Sequence, residues 1–363
     1  VNELLRVESV PVFQNRIYDS RIEARLCPKG DVVLVQDPRT GLVHNAAFDG
    51  AALVYDETYQ NEQAVSPSFV RHLDAVLELA GRHFRGKSVV EIGCGKGYFL
   101  ERLLSAGYAA SGVDPAYEGR NPHIVKARYG EAPGMKAECV VLRHVLEHIE
   151  RPLEFLAGVA RANGGNGVVY IEVPCLDWIC ERRAWFDVFY EHVNYFRLSD
   201  LRAMFGTVHE AGRLFGGQYL YVFAELGTLR EPNPGAGGEA RFPPDFLAGV
   251  MRFAAMAAEA TDRGTAIWGA GAKGVMFAYH LMRLGAECER VIDVNPAKQG
   301  KFIAGSGARV SAPEEAAAEL SADGLVFVMN SNYLAEVASQ VGKGVQLWAV
   351  DGAVDGLGAG AKK

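Results

Sequence analysis

Glu91-Ile-Gly-Cys-Gly-Lys-Gly97 stands between an apolar strand, Ser88 to Ile92, and a helix pattern from Gly97 to Gly107. Gly93, Gly95 and Gly97 permit positive φ and let a ligand approach the backbone closely. The opening of the helix adds unpaired N–H groups. The next strand, Ala109 to Val113, leads into Asp114, whose carboxylate can accept both hydroxyls of a ribose. A crevice of this kind, at the switch point of a parallel sheet, suits an adenine dinucleotide or S-adenosylmethionine. No Gly-Lys-Ser/Thr follows, which excludes a triphosphate-binding P-loop.

Strand and helix patterns alternate on both sides of the turn. Arg71 to Gly86, Pro152 to Asn163 and Leu198 to Phe205 read as helices. Glu138 to Leu142 and Gly167 to Val173 read as strands, and Gln218 to Leu226 as a late antiparallel strand. Such alternation predicts an α/β fold with a mostly parallel sheet covered by helices on both faces. Residues 1–50 carry turn signals at Pro28-Lys29-Gly30-Asp31 and Asp37-Pro38-Arg39-Thr40-Gly41, and read as a small β-rich module. Arg230-Glu-Pro-Asn-Pro-Gly-Ala-Gly-Gly238 is a linker by composition. A long helix from about Pro244 to Arg263 then leads into a second α/β pattern. Its strands are Thr265 to Trp268, Arg290 to Asp293, Leu325 to Met329 and Val345 to Val350, with a helix from Lys273 to Leu284. The tail Gly356 to Lys363 reads as frayed. The expected division is therefore 1–50, 51–230 and 231–363.

The chain has 363 residues, of which 49% are hydrophobic, enough for two or three cores. Its net charge is −7 and no basic stripe occurs, which argues against nucleic acid as a partner. No apolar run reaches the roughly 20 residues that span a bilayer. The start lacks a signal-peptide layout and an initiator Met, so a trimmed or processed chain is expected. Six scattered cysteines without Cys-x-x-Cys read as reduced thiols of a cytoplasmic protein. The oligomeric state is not legible.

Further segments occur in a fixed order. Tyr55-Asp-Glu-Thr-Tyr59 and Ser66-Pro-Ser-Phe69 precede the turn. Arg143-His-Val-Leu-Glu-His-Ile149 and Tyr190-Glu-His-Val-Asn-Tyr-Phe196 follow it. Gly269-Ala-Gly-Ala-Lys-Gly274 and Asp293-Val-Asn-Pro-Ala-Lys-Gln-Gly300 come last. Together they resemble the class I methyltransferases, and more narrowly the nucleotide-sugar C-methyltransferase family. The resemblance implies a central Rossmann-like methyltransferase domain and a second Rossmann-like domain that binds substrate. It implies S-adenosylmethionine as cofactor, leaving as S-adenosylhomocysteine. Tyr59 and Phe69 would belong to a lead-in folded over the cofactor, and Glu91 would face the methionine ammonium. Gly93, Gly95, Gly97, Asp114, Pro115 and Arg143 would complete that site. Members often open with a zinc module of paired Cys-x-x-Cys knuckles. The aligned positions here are Val10, Phe13, Asp37 and Thr40, and Cys27 is alone, so no zinc is expected. An apolar plug at Val10 and Phe13 would replace it; Asp37 and His44 offer at most a partial site.

After strand Gly167 to Val173 the chain inserts Pro174 to Phe196, rich in Trp, Phe and Tyr. These rings, Trp178 and Tyr190 among them, could wall a substrate pocket at the carboxyl end of the sheet. Glu191 and His192 sit within them. A carboxylate can orient a histidine and raise its basicity. Methylation at carbon needs a base beside a carbonyl and a donor for the enolate oxygen. By resemblance Glu191 and His192 inherit the base work, with Tyr190 and Tyr195 as candidate donors. The family often reads Tyr-His-Glu-His, but Phe189-Tyr190-Glu191-His192 lacks the first tyrosine, which leaves O-methylation open. His144 and His148 follow strand Glu138 to Leu142, where either a catalytic or a pocket-shaping role fits.

Gly269 to Gly274 also fits Gly-x-Gly-x-x-Gly, with Asp293 at the end of the next strand. Resemblance assigns it to substrate, with Lys273 and the turn's N–H groups on a diphosphate and Asn295 nearby. The leading reading is C-methylation of a nucleotide-linked keto-sugar. The alternatives are O- or N-methylation of a sugar or other secondary metabolite, an NAD-dependent oxidoreductase, and a silent binding protein.

Overall fold

The computed structural model describes residues 2–53, 66–131, 134–235, 237–260, 262, 264–288, 290–321 and 323–352. Tyr59, the Tyr55 to Tyr59 segment and the tail from Gly356 lie outside them.

Among the described residues, seven strands form the central sheet, in the order Val208–Leu214, Tyr219–Glu225, Val168–Pro174, Cys139–Arg143, Val89–Ile92, Ala110–Val113 and Ile124–Val125. Val89–Ile92 pairs in parallel with both neighbours, and Tyr219–Glu225 runs antiparallel between Val168–Pro174 and Val208–Leu214. The middle strands are buried on both faces, which explains their near-continuous apolar runs. Helix Pro67–Phe84 begins at Ser66, whose hydroxyl accepts from Phe69 N–H, with Pro67 in the first turn. Its Leu73, Val76, Ala80 and Phe84 make the buried stripe.

A second seven-stranded sheet has a parallel core running from Gln346–Ala349 through Leu325–Val328, Thr265–Trp268 and Arg290–Ile292 to Arg309–Ser311. Two short strands finish one edge: Phe302–Ile303 and, antiparallel to it, Ile17–Tyr18 from the N-terminal region. A four-stranded sheet joins Glu3–Pro11, Lys29–Gln36 and Val43–Asn45 to Asn194–Tyr195 from the aromatic insert. The N-terminal region thus straps both larger units. One apolar core runs through all three, with Val10 and Phe13 buried in it and Trp185 stacked on Phe277 at 5.5 Å.

Two local expectations are corrected. Pro28-Lys29-Gly30-Asp31 is not a turn, because the strand Lys29–Gln36 starts there. Gly30 serves close approach instead: a Cβ would collide with the ring of Tyr190. The expected helix from Pro244 to Arg263 is shortened to Ala248–Glu259, because residues 243–248 close tight turns with bonds from Phe246 N–H to Pro243 and from Ala248 N–H to Asp245. The turn at Asp37 to Gly41 forms as read, with Asp37 accepting from Arg39 and Thr40 N–H and Gly41 at φ 74°.

In the second α/β unit, Gly274 lies in the first turn of helix Ala272–Arg283, and a Cβ would collide with the carbonyl oxygen of Gly269. Backbone cannot yield as a side chain can, so Gly274→Ala is expected to cost on the order of 1–3 kcal/mol. Urea denaturation checks this; an unchanged midpoint would contradict the close helix-to-turn packing.

Candidate functional site

The first glycine turn has an open backbone face. Gly93, Gly95 and Gly97 have φ of 71°, 52° and 87°. Cβ atoms at Gly93 and Gly97 would strike Val145 and Ile124, whereas one at Gly95 would meet open space. Asp114 accepts from Gly95 N–H and Ala116 N–H, both at 2.8 Å, so its carboxylate is fixed beside the turn. Pro115 follows, exposed. Glu91 ends the strand below, fully enclosed, and its Oε2 has no hydrogen-bond partner. Burial pushes its carboxyl up to about 8, against the opposing charge of Arg143. An orphaned buried acid, an open backbone face and a fixed second acid fit the ammonium, methionine and ribose parts of S-adenosylmethionine.

Behind the turn lies a charged hub. Glu172, in an otherwise apolar strand, receives His72 Nε2 at 3.0 Å, Arg143 Nη2 at 2.9 Å and the Tyr170 hydroxyl at 2.5 Å, and lies 3.0 Å from His144 Nε2. Burial opposes ionisation, yet Arg143, His72 and His144 hold the Glu172 carboxyl well below the usual carboxylate range. Arg143 also stands 4.8 Å from the centre of the Phe99 ring. Phe69 packs against His72 and Phe215. His144 adopts φ 53°, a left-handed conformation uncommon for non-glycine residues. Although burial opposes it, Glu147 and Glu172 push the His144 imidazole up to about 9.

A cavity of about 270 Å³ opens between the central sheet and the second α/β unit, and its wall brings together His144, His148 and His192 with Lys273. His148 Nδ1 lies 2.8 Å from the carbonyl of Glu191. A carbonyl only accepts, so Nδ1 carries a proton, and in the neutral ring the lone pair is on Nε2. The His192 ring lies 5.0 Å from that of His148 and 4.0 Å from that of Phe189. Burial, reinforced by His148, His144 and Lys273, holds the His192 imidazole well below its usual value. Lys273 Nζ lies 3.0 Å from Asp187 Oδ2 and 4.8 Å from the Trp178 ring centre, so the two regions meet in an ion pair and a cation–π contact.

Other sequence candidates go elsewhere. The Tyr190 hydroxyl accepts from Asp49 N–H at 2.8 Å and donates to the Asp49 carbonyl at 3.4 Å, inside the N-terminal region. The Tyr195 hydroxyl is closed on Phe189, accepting from its N–H and donating to its carbonyl, both at 3.1 Å. Neither tyrosine lines the cavity, so neither is brought to an enolate oxygen. Glu191 Oε2 accepts from Gln14 N–H at 3.4 Å, which ties the carboxylate to the N-terminal region. Asn295 shapes its own loop, accepting from Ala297 N–H at 3.0 Å. Asp293 accepts from Ala270 N–H at 2.7 Å and Asn295 N–H at 2.8 Å, holding its own glycine turn. Among the positions where zinc thiolates would stand, Val10 and Phe13 are buried apolar groups, Asp37 is committed to its turn, and Thr40 offers only a hydroxyl. Asp187, Glu147 and Glu172 were not singled out from sequence. The signal available for Glu172 was a lone charge inside a buried apolar strand.

The sheet order, with one antiparallel strand near its edge, and the glycine turn between Glu91 and Asp114 define a class I S-adenosylmethionine-dependent methyltransferase. The profile of a methyltransferase domain matches residues 61–211. Among curated proteins the chain is similar to the C-methyltransferase NovU of Streptomyces niveus, 26% identical over 290 residues, 69% of this chain and 69% of that protein. Among solved structures it is similar to the PH0226 protein of Pyrococcus horikoshii OT3, at 14% identity and a TM-score of 0.38, covering 47% of this chain and 99% of that one. It is also similar to the 1,6-didemethyltoxoflavin-N1-methyltransferase of Burkholderia thailandensis, at 19% identity and a TM-score of 0.32, covering 46% and 79%. The methyltransferase profile and the curated relative favour methyl transfer over the oxidoreductase alternative. No helix of the described residues is long and apolar enough to cross a membrane.

Proposed function

We propose that the enzyme methylates a carbon next to a carbonyl in a nucleotide-linked keto-sugar. One observation carries this reading: His148 and His192, with rings 5.0 Å apart, share a cavity with Lys273 and the second glycine turn. The similarity to a C-methyltransferase supports it. Glu91, the first glycine turn and Asp114 would hold S-adenosylmethionine, which supplies an electrophilic methyl group. His192 takes the proton from the carbon beside the carbonyl. The C–H electrons pass towards the carbonyl oxygen, and the resulting enolate carbon is the nucleophile. Lys273 and the start of helix Ala272–Arg283 present positive charge to the diphosphate. Phe189 and Trp268 give the cavity apolar walls, whereas Trp178 lies outside its lining and meets Lys273 through its ring.

The test is proton exchange without methyl transfer. Nucleotide-linked keto-sugars are incubated in D2O with enzyme and S-adenosylhomocysteine, and the proton beside the carbonyl is followed by NMR. Its loss is expected with the true substrate. Absence of exchange across the panel, with methyl appearing on oxygen or nitrogen in the full reaction, would overturn C-methylation.

Cofactor binding should also release a proton. Glu91, at about 8, is mostly protonated in the free protein at pH 7. An ammonium beside it favours the carboxylate and lowers that value, so binding expels the proton and tightens as pH rises towards 8. Calorimetry of S-adenosylhomocysteine binding in buffers of different ionisation enthalpy should show close to one proton released at pH 7, and none for Glu91→Gln. Equal enthalpies for the native protein in all buffers would place the ammonium elsewhere.

A further inference from the structure

Glu147, His148 and His192 bring one carboxylate and two imidazoles to the cavity wall, with their ligand atoms all within 4.8 Å of one another. Glu147 is 1% exposed, and neither of its oxygens has a hydrogen-bond partner; His144 Nδ1 stands 3.4 Å away. His144 faces Oε1 as an ion-pair partner, and Oε2 stays enclosed without a donor, which is costly. His192 Nδ1 is likewise buried without a hydrogen-bond partner. His148 donates from Nδ1 to the Glu191 carbonyl at 2.8 Å, which aims the Nε2 lone pair. A metal-ligating histidine is commonly held by its second nitrogen in this way. Two imidazoles and one carboxylate, with a side left open, are the donor set of catalytic zinc centres. In such a centre neighbouring ligand atoms stand about 3.3 Å apart, so a cation would draw these three together by at most about 1.5 Å.

We infer that Glu147, His148 and His192 form a binding site for a divalent transition-metal cation of the zinc or cobalt(II) kind, open to the interdomain cavity. The lone pairs that would hold the cation are the ones a base uses. On the proposed role of His192, which this consequence rests on, a bound cation therefore competes with deprotonation and suppresses turnover.

The full chain, freed of metal with a chelator, is titrated with Co2+ and followed by visible ligand-field absorption and calorimetry. One equivalent should bind, and Glu147→Gln and His148→Ala should each weaken it by on the order of 10–100-fold or more. Retained S-adenosylhomocysteine affinity shows that the variants are folded. No Co2+ binding by the native protein, or undiminished binding by both variants, overturns the site. Zn2+ should lower proton exchange by the native enzyme; exchange unchanged or raised at saturating Zn2+ overturns the competition. The base assignment is judged separately on metal-free enzyme, where absent exchange alongside intact Co2+ binding sinks that assignment and leaves the site standing.

Discussion

His192→Ala is expected to slow methyl transfer by about two to four orders of magnitude, the usual contribution of a positioned general base, while affinity for S-adenosylhomocysteine stays within a few-fold. The two readouts separate because the residues proposed to hold the cofactor are anchored independently. Gly95 and Asp114 are tied to each other, and Glu91 ends a strand paired on both sides. His192 belongs instead to the insert after Val168–Pro174, packed against Phe189 at 4.0 Å. Turnover near the native rate would remove His192 from the chemistry. His148 would then be the remaining candidate, since its hydrogen bond to Glu191 puts the lone pair of the neutral ring on Nε2. His148→Ala in parallel decides between them: the base is the histidine whose loss abolishes proton exchange as well as methylation.

The parts of the site that could be read from sequence are those set by local backbone. Gly93, Gly95 and Gly97 hold positive φ, and Asp114 stands one strand later in a parallel pair, so spacing alone brings them together. Where long-range packing decides, reading failed. Tyr190 and Tyr195 sit beside His192 in the chain and looked like donors, but Gly30 and Phe48 receive the Tyr190 ring and Phe189 closes on the Tyr195 hydroxyl. The Lys273–Asp187 pair joins residues far apart in sequence. Ile17–Tyr18, two residues on the edge of a sheet completed by Phe302–Ile303, are too short to carry any periodicity. Gly30 was misread for a related reason: a glycine reports either a turn or a close approach, and only the partner distinguishes them.

Glu172→Gln should have the largest effect on stability, a loss of about 3–5 kcal/mol, the cost of removing one partner from a buried ion pair. The carboxylate is fully buried and lies within 3.0 Å of nitrogens of His72, Arg143 and His144. Arg143 cannot shed its charge, and its other acidic neighbour, Glu91, is mostly neutral at pH 7. The amide of glutamine would supply at most one acceptor and would turn a donor towards those nitrogens or towards Tyr170. The pH dependence gives a second readout. Because the folded-state pKa of Glu172 is depressed, its contribution is present above the unfolded value near 4.5 and is lost as pH falls through the folded value. The native protein should therefore lose stability on acidification over that window, while the glutamine variant, already without the charge, should follow a flatter curve. Urea denaturation of both proteins between pH 7 and the acid limit of folding measures the difference. A variant within 1 kcal/mol of native stability at pH 7 would mean that the positive charge of Arg143 and His144 is neutralised by something other than Glu172, and the hub would lose its assigned role in fixing these two side chains behind the first glycine turn.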